Sequence, residues 1–212
     1  MKKRNVILWD VANRRRIAML PGKTGDTSLS FSPDGRRLAI ATDGPQGTIV
    51  LWDVASRPPV APWVTGGGYW EDPTFSPDGR WLAIHSTGGI DLWDVPERRL
   101  MTTLPRHGQR AVFSPDSRLL AASVDTAEVA IWDVGTRTLV RRLDVGGEGG
   151  GEALLFSPDS QVLTTTGQDG VTLQRFDASW AAQHLCQIVH RDMTREEWND
   201  YVPGRAYQKV CT

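Results

Sequence analysis

Cysteine is nearly absent: Cys186 and Cys211 are the only two in 212 residues, too few for the disulfide framework of a small secreted domain. Histidine is almost as scarce, and His85, His107, His184 and His190 are too scattered to give a nucleophile–base pair. Read together, His184, Cys186, His190 and Cys211 form an H-x-C-x3-H group with one distant cysteine, which matches no regular structural zinc site. No metal and no cofactor is expected. Buried thiols are the reading for the two cysteines, and a disulfide between them is the alternative.

Charge of one sign is lacking as well. Lys plus Arg number 24 and Asp plus Glu 25, a net charge of −1, so neither nucleic acid nor an anionic membrane is implied as a partner. Long hydrophobic runs are missing too. The opening MKKR resembles the start of a signal peptide, but the apolar run behind it is only Val6 to Trp9. No secretory or membrane-spanning segment is expected, and the chain reads as cytoplasmic. Catalytic motifs fail on inspection. Pro21-Gly22-Lys23-Thr24 looks like the end of a Walker A loop, yet Ile17 stands where that loop needs glycine. The glycine-rich 145–152 stretch has no G-x-G-x-x-G, and no G-x-S-x-G elbow is present. The chain does not read as an enzyme.

What is present is repetition. Phe-Ser-Pro-Asp followed by Gly or Ser occurs at 31–35, 75–79, 113–117 and 156–160. Trp-Asp occurs at Trp9-Asp10, Trp52-Asp53, Trp93-Asp94 and Trp132-Asp133, with Phe176-Asp177 read as a decayed fifth copy. The second series steps by 43, 41, 39 and 44 residues and the first by 44, 38 and 43. A unit of this length must stack on its neighbours to bury its faces. Within a unit, proline presets the tight turn of Ser-Pro-Asp-Gly. Leu38, Ile40 and Thr42 alternate with Arg37, Ala39 and Ala41 as in a half-buried strand. Thr48 to Trp52 is β-rich and ends in a large ring. Serine in the last turn position at 117 and 160 is expected to be harmless where that position keeps a negative φ.

These motifs at this period resemble the WD-repeat family over residues 5 to 177. The resemblance implies an all-β fold, a β-propeller of about four to five four-stranded blades, partial or open. Residues 1–177 are assigned to blades: 1–22 a partial blade, 23–65, 66–105 and 106–144 full units, and 145–177 an incomplete last unit. The strand inventory of 17 exceeds four blades and falls short of five, and the chain opens on the third strand of a blade. An unpaired edge there invites a partner, self-association included. In the family an aspartate in the turn before the third strand bonds a histidine and the blade tryptophan. Asp43, Asp125 and Asp169 take that turn here, Gly88-Gly89 replaces it in the second full unit, and the histidine partners are mostly missing. Weaker blade networks are the expectation.

Residues 178–212 read as a short two-helix extension. Ala181, Leu185 and Ile188 mark one amphipathic face, and Thr194 to Glu197 is a capping box before a second helix bearing Trp198 and Tyr201. This tail, through Leu185-Cys186, Arg191, Met193-Thr194, Glu197-Trp198, Tyr201, Tyr207 and Cys211, resembles extensions that follow propellers in bacterial, notably actinobacterial, multidomain signalling proteins of the STAND NTPase or Ser/Thr kinase type. Asp192-Met193 departs from the Asn-Leu of that pattern. The implied function is a non-catalytic scaffold or sensor that binds a protein or peptide through loops on one propeller face: 22–26, 66–70, 106–110 and 146–152, with the turns 43–47 and 167–170. Tyr69, Trp70, His107 and Arg110 are the partner-binding candidates. Two other readings stay open: a TolB-like or peptidase-associated propeller, disfavoured by the Leu-Trp-Asp strand endings, and a truncated fragment without an independent role.

Overall fold

The computed structural model describes residues 5–20, 27–42, 48–55, 71–105, 110–125, 128–145, 153–167 and 170–176, with a few isolated residues beyond. Sixteen strands fall among them, in five antiparallel sheets. Sheet I holds β1 (Val6–Asp10) and β2 (Arg15–Leu20). Sheet II holds β3 (Thr27–Phe31), β4 (Arg37–Thr42) and β5 (Thr48–Asp53). Sheet III holds β6 (Glu71–Phe75), β7 (Trp81–Ser86), β8 (Gly89–Asp94) and β9 (Arg99–Pro105). Sheet IV holds β10 (Ala111–Phe113), β11 (Leu119–Asp125), β12 (Glu128–Asp133) and β13 (Thr138–Asp144). Sheet V holds β14 (Leu154–Phe156), β15 (Val162–Gly167) and β16 (Gly170–Arg175). Each sheet is a simple meander. The first strands β3, β6, β10 and β14 lie successively beside one another, so the sheets stack as blades around a common inner edge. The two-helix reading of 178–212 lies outside the described residues, apart from the Arg195 guanidinium 5.6 Å over the Tyr207 ring.

Each junction follows one rule. The face of a sheet that looks back along the chain carries the large side chains, and the face that looks forward is smaller and aliphatic. Leu38, Ile40, Val50 and Trp52 of sheet II meet Val6, Ala18 and Leu20 of sheet I. Phe75, Leu82, Ile84 and Trp93 of sheet III meet Ala39, Ala41, Ile49 and Leu51 of sheet II. Phe113, Leu120, Ala122 and Trp132 of sheet IV meet Ala83, Ile90, Leu92 and Leu104 of sheet III. Leu154, Phe156, Leu163 and Phe176 of sheet V meet Ala121, Val129, Ile131 and Val145 of sheet IV. The expected half-buried β4 is therefore corrected. Ala39 and Ala41 are as buried as Leu38, because both faces of the sheet are covered and the alternation is of size rather than polarity.

Two further expectations change. The last turn position does need a positive φ: Gly35 and Gly79 lie at +67° and +70°, and Ser117 and Ser160 both at +61°. Serine there is strained by its Cβ. The decayed copy at Phe176-Asp177 is also displaced. Trp52, Trp93 and Trp132 stand opposite Leu38, Leu82 and Leu120, and the residue opposite the equivalent Leu163 is Gln174. Phe176 donates its N–H to Gln161, as Val54 does to Arg36, so it holds the position two residues past the tryptophan. Pro73, buried in β6, sits in a bulge between Glu71 and Thr74, where it interrupts no ladder bond.

Candidate functional site

Antiparallel connection sends the turns of a blade to two ends. The turns between first and second strands share one end with those between third and fourth, and the remaining connections lie at the other.

At the first end, the four Ser-Pro-Asp turns are built alike. The serine hydroxyl donates to the aspartate Oδ1 at 2.6 Å in Ser32–Asp34 and at 2.5 Å in Ser76–Asp78, Ser114–Asp116 and Ser157–Asp159. The same serine oxygen accepts the N–H of Arg37, Trp81, Leu119 or Val162, in each case at 2.9 Å. Each carboxylate also accepts the N–H two residues on, at 3.0 to 3.1 Å. The serine hydroxyl first, and the backbone N–H after it, hold the carboxyls of Asp34 and Asp159 below the ordinary range. Such a turn is a rigid loop closed by a charged acceptor.

Serine in the strained position has a partner. Ser117 Oγ accepts the N–H of Asp78 in the preceding sheet at 3.1 Å, and Ser160 Oγ accepts that of Asp116 at 3.0 Å. These two hydrogen bonds latch sheet IV to sheet III and sheet V to sheet IV. Between sheets II and III the residue is Gly79, which brings no hydroxyl to Asp34. A cleft of about 420 Å³ opens there, lined by Asp34, Arg37, Asp78, Arg80, Asp94 and Glu97 among others. Arg80 lies over the Trp81 ring at 5.0 Å and pairs with buried Asp94 at 3.6 Å. The Trp-Asp carboxylates work at the same end. Asp10, Asp53, Asp94 and Asp133 accept N–H bonds from Asn13, Ala55, Glu97 and Thr136, at 2.8 to 3.0 Å, and so cap the turn that begins after each strand.

At the opposite end, where recognition is expected, Tyr69, Trp70 and His107 lie outside the described residues, as do the loops 22–26, 66–70, 106–109 and 146–152. Arg110 is described and exposed. Its N–H donates to Ser123 Oγ at 3.1 Å and its carbonyl accepts the N–H of Ser123 at 3.0 Å. The backbone of this residue is therefore clamped while its guanidinium is presented. Sheet V repeats the clamp through Ala153 N–H and Thr166 Oγ1 at 3.0 Å. In sheet III the matching position, opposite Glu71, is His85. Its ring is buried with no hydrogen-bond partner on either nitrogen, and burial pushes its pKa down against a weaker upward pull from Asp72. Asp91 is buried on the other face of the same sheet, where burial raises its pKa against hydrogen bonds from Thr103 and Ser86. Facing apart, the two form no acid–base pair.

Among the described residues no three His, Cys, Asp or Glu side chains could hold a metal ion, and no helix is long and apolar enough to cross a membrane. Cys186 and Cys211 lie outside them. The Trp52 indole Nε1 is buried without a hydrogen-bond partner, in keeping with sparse blade networks. The cleft and the serine latches were missed in the sequence, although glycine-for-serine at position 79 was the visible signal.

Residues 14–53 match the family described as WD domain, G-beta repeat, a segment running from the turn before β2 to the end of β5 and so straddling two sheets. The chain is 31% identical over 143 residues to the WD repeat-containing protein sll1491 of Synechocystis sp., covering 65% of this chain and 40% of that one. It is 33% identical over 111 residues to the meiotic recombination protein rec14 of Schizosaccharomyces pombe, 50% and 36% of the two chains. It is 29% identical over 157 residues to pre-mRNA-processing factor 19 of Oryza sativa, 70% and 29%. The chain spans less than half the length of each of these relatives. Its all-β architecture of stacked antiparallel sheets is consistent with a WD-repeat, propeller-like fold.

Proposed function

We propose that this chain is a non-catalytic docking module that binds a protein or peptide through the loops entering the inner strands. Proteins with WD repeats are typically scaffolds of this kind. The observation that carries the reading is the clamp at Arg110: a hydroxyl one strand away fixes the loop-end backbone while the arginine side chain stands in solvent. Arginine and aromatic residues on rigid supports make hot spots, and Trp70, Tyr69 and His107 fall in equivalent connections. The setting we infer is a cytoplasmic bacterial signalling protein, on the strength of the tail resemblance and of likeness to a cyanobacterial WD-repeat protein. Nucleic acid and membrane are not partners in this reading, since the charge is balanced. The open blade edge leaves room for self-association.

The test is to screen the immobilised chain against a displayed peptide library and titrate the hits by calorimetry. Trp70→Ala and Arg110→Ala should each weaken binding about tenfold or more with the melting temperature kept. Binding that ignores both but fails on Arg37→Ala or Arg80→Ala would move the site to the cleft at the other end. No saturable hit would remove the reading.

A further inference from the structure

Three tryptophans at the equivalent position are buried, with 8, 5 and 3% exposure at Trp52, Trp93 and Trp132. Trp9 is 57% exposed. The seat such a ring takes is known from inside the chain. Trp93 clusters with Ile49 and Leu51 of the preceding sheet, and Trp132 with Ile90 and Leu92. In sheet V the positions of that aliphatic pair fall to Val171 and Leu173, since Leu173 stands beside Gln174 as Leu51 stands beside Trp52. Ile49, Leu51, Ile90 and Leu92 are at most 1% exposed, whereas Val171 and Leu173 are 66 and 67% exposed. Leu155, which pairs with the same Thr164 as Leu173, is bare on the same face. Ile7 and Met19 stand opposite each other beside Trp9 and are exposed with it.

We propose that the forward face of sheet V receives the backward face of sheet I from a second copy of this chain, with Trp9 of one copy seated on Val171 and Leu173 of the other. The argument is continuity with the junctions between sheets II and III and between III and IV: the two end faces are the two halves of one recurring interface. Each half is exposed, and among the described residues neither has the packing partner that its equivalents have. The interface is apolar on both sides, as the internal ones are, so its association follows from removing these side chains from water. It is heterologous, because a backward face does not fit a backward face, so copies add head to tail until a ring closes. The proposal deepens the self-association reading, replacing a strand edge by a side-chain face, and is independent of loop recognition, which Trp70 and Arg110 report separately.

The experiment is sedimentation velocity on the full chain from about 1 to 100 µM, a range that brackets dissociation constants of micromolar order. Wild type should gain mass with concentration. Trp9→Glu and Leu173→Glu should each be monomeric alone, because each destroys one half of the junction. Mixed in equal amounts they should give particles of two chains and nothing larger, since one intact half remains on each variant. A melt of each variant at the lowest concentration checks folding; Trp9→Ser and Leu173→Lys carry the same expectations should either glutamate lower it. Wild type that stays monomeric throughout overturns the proposal, the face then being covered within one chain. Single variants that associate as wild type does, or a mixture that stays monomeric, overturn it equally.

Discussion

Replacing Ser117 by alanine and, separately, by glycine separates two effects that the wild-type serine combines. At φ +61° a residue with a Cβ is strained by about 1–2 kcal/mol relative to glycine. The hydrogen bond from Asp78 N–H to its hydroxyl, 3.1 Å long, returns about 1 kcal/mol. Alanine keeps the strain and loses the bond, so it should be less stable by about 1 kcal/mol, which in a chain of this size lowers the melting temperature by about 2–4 °C. Glycine loses both, a net of about 0 to +1 kcal/mol, and should melt between level with wild type and about 4 °C above it. Gly79→Ser performs the reverse exchange. A Cβ built there meets only Pro33 Cδ at 3.9 Å, so the hydroxyl has room to reach Asp34 and narrow the cleft. Calorimetric melts measure the totals, and amide exchange at Asp78 reads the latch itself, which should speed up in both Ser117 variants. Alanine melting with wild type while glycine gains stability would refute the reasoning, because the hydroxyl would then contribute nothing.

Two buried ionisable groups in sheet III should pull stability in opposite directions with pH. Asp91 has a raised folded pKa because of burial, so its contribution is fully present below the unfolded value and is lost as pH rises through the folded one. Asp91→Asn keeps an acceptor for Thr103 and Ser86 and should therefore raise stability at neutral pH, an advantage that melts in acid should show shrinking. His85 has a folded pKa lowered by burial, so protonation favours the unfolded chain and stability falls as pH drops below its ordinary value of 6.5. His85→Leu should flatten the melting temperature between about pH 7.5 and 5.5; an unchanged slope would mean the ring is solvated.

Much of this architecture was legible because its signals are local. The Ser-Pro-Asp turns close through bonds within six residues, and each Trp-Asp carboxylate caps a turn within three, so both motifs mark strand ends from short-range spacing. What failed to show depends on neighbouring strands. Phe176 looked like the tryptophan's replacement because it is the aromatic at hand, yet register is counted from Leu163, and that count selects Gln174. Alanine at 39 and 41 carries little hydropathy signal, so burial on both faces was hidden until the sheets were stacked. Ser117 and Gly79 differ by a hydroxyl whose partner lies 39 residues away in the first case. The binding candidates rested on residue type at loop positions, and Arg110 alone among them has a described support.

Both devices that join the sheets point backward along the chain. The ring of Trp93 or Trp132 and the hydroxyl of Ser117 or Ser160 each reach into the sheet before their own. Sheet III uses the ring without the hydroxyl, sheet IV uses both, and sheet V keeps the hydroxyl while Gln174 has replaced the ring. There the Phe156 and Phe176 rings, 6.1 Å apart and tilted, fill the junction from flanking positions. A blade can thus lose either device and still dock, because the aliphatic seat in front of it is supplied by the previous sheet. The seat is the part shared by these junctions, and among the described residues the exposed tryptophan that matches the exposed seat on sheet V is Trp9 of sheet I.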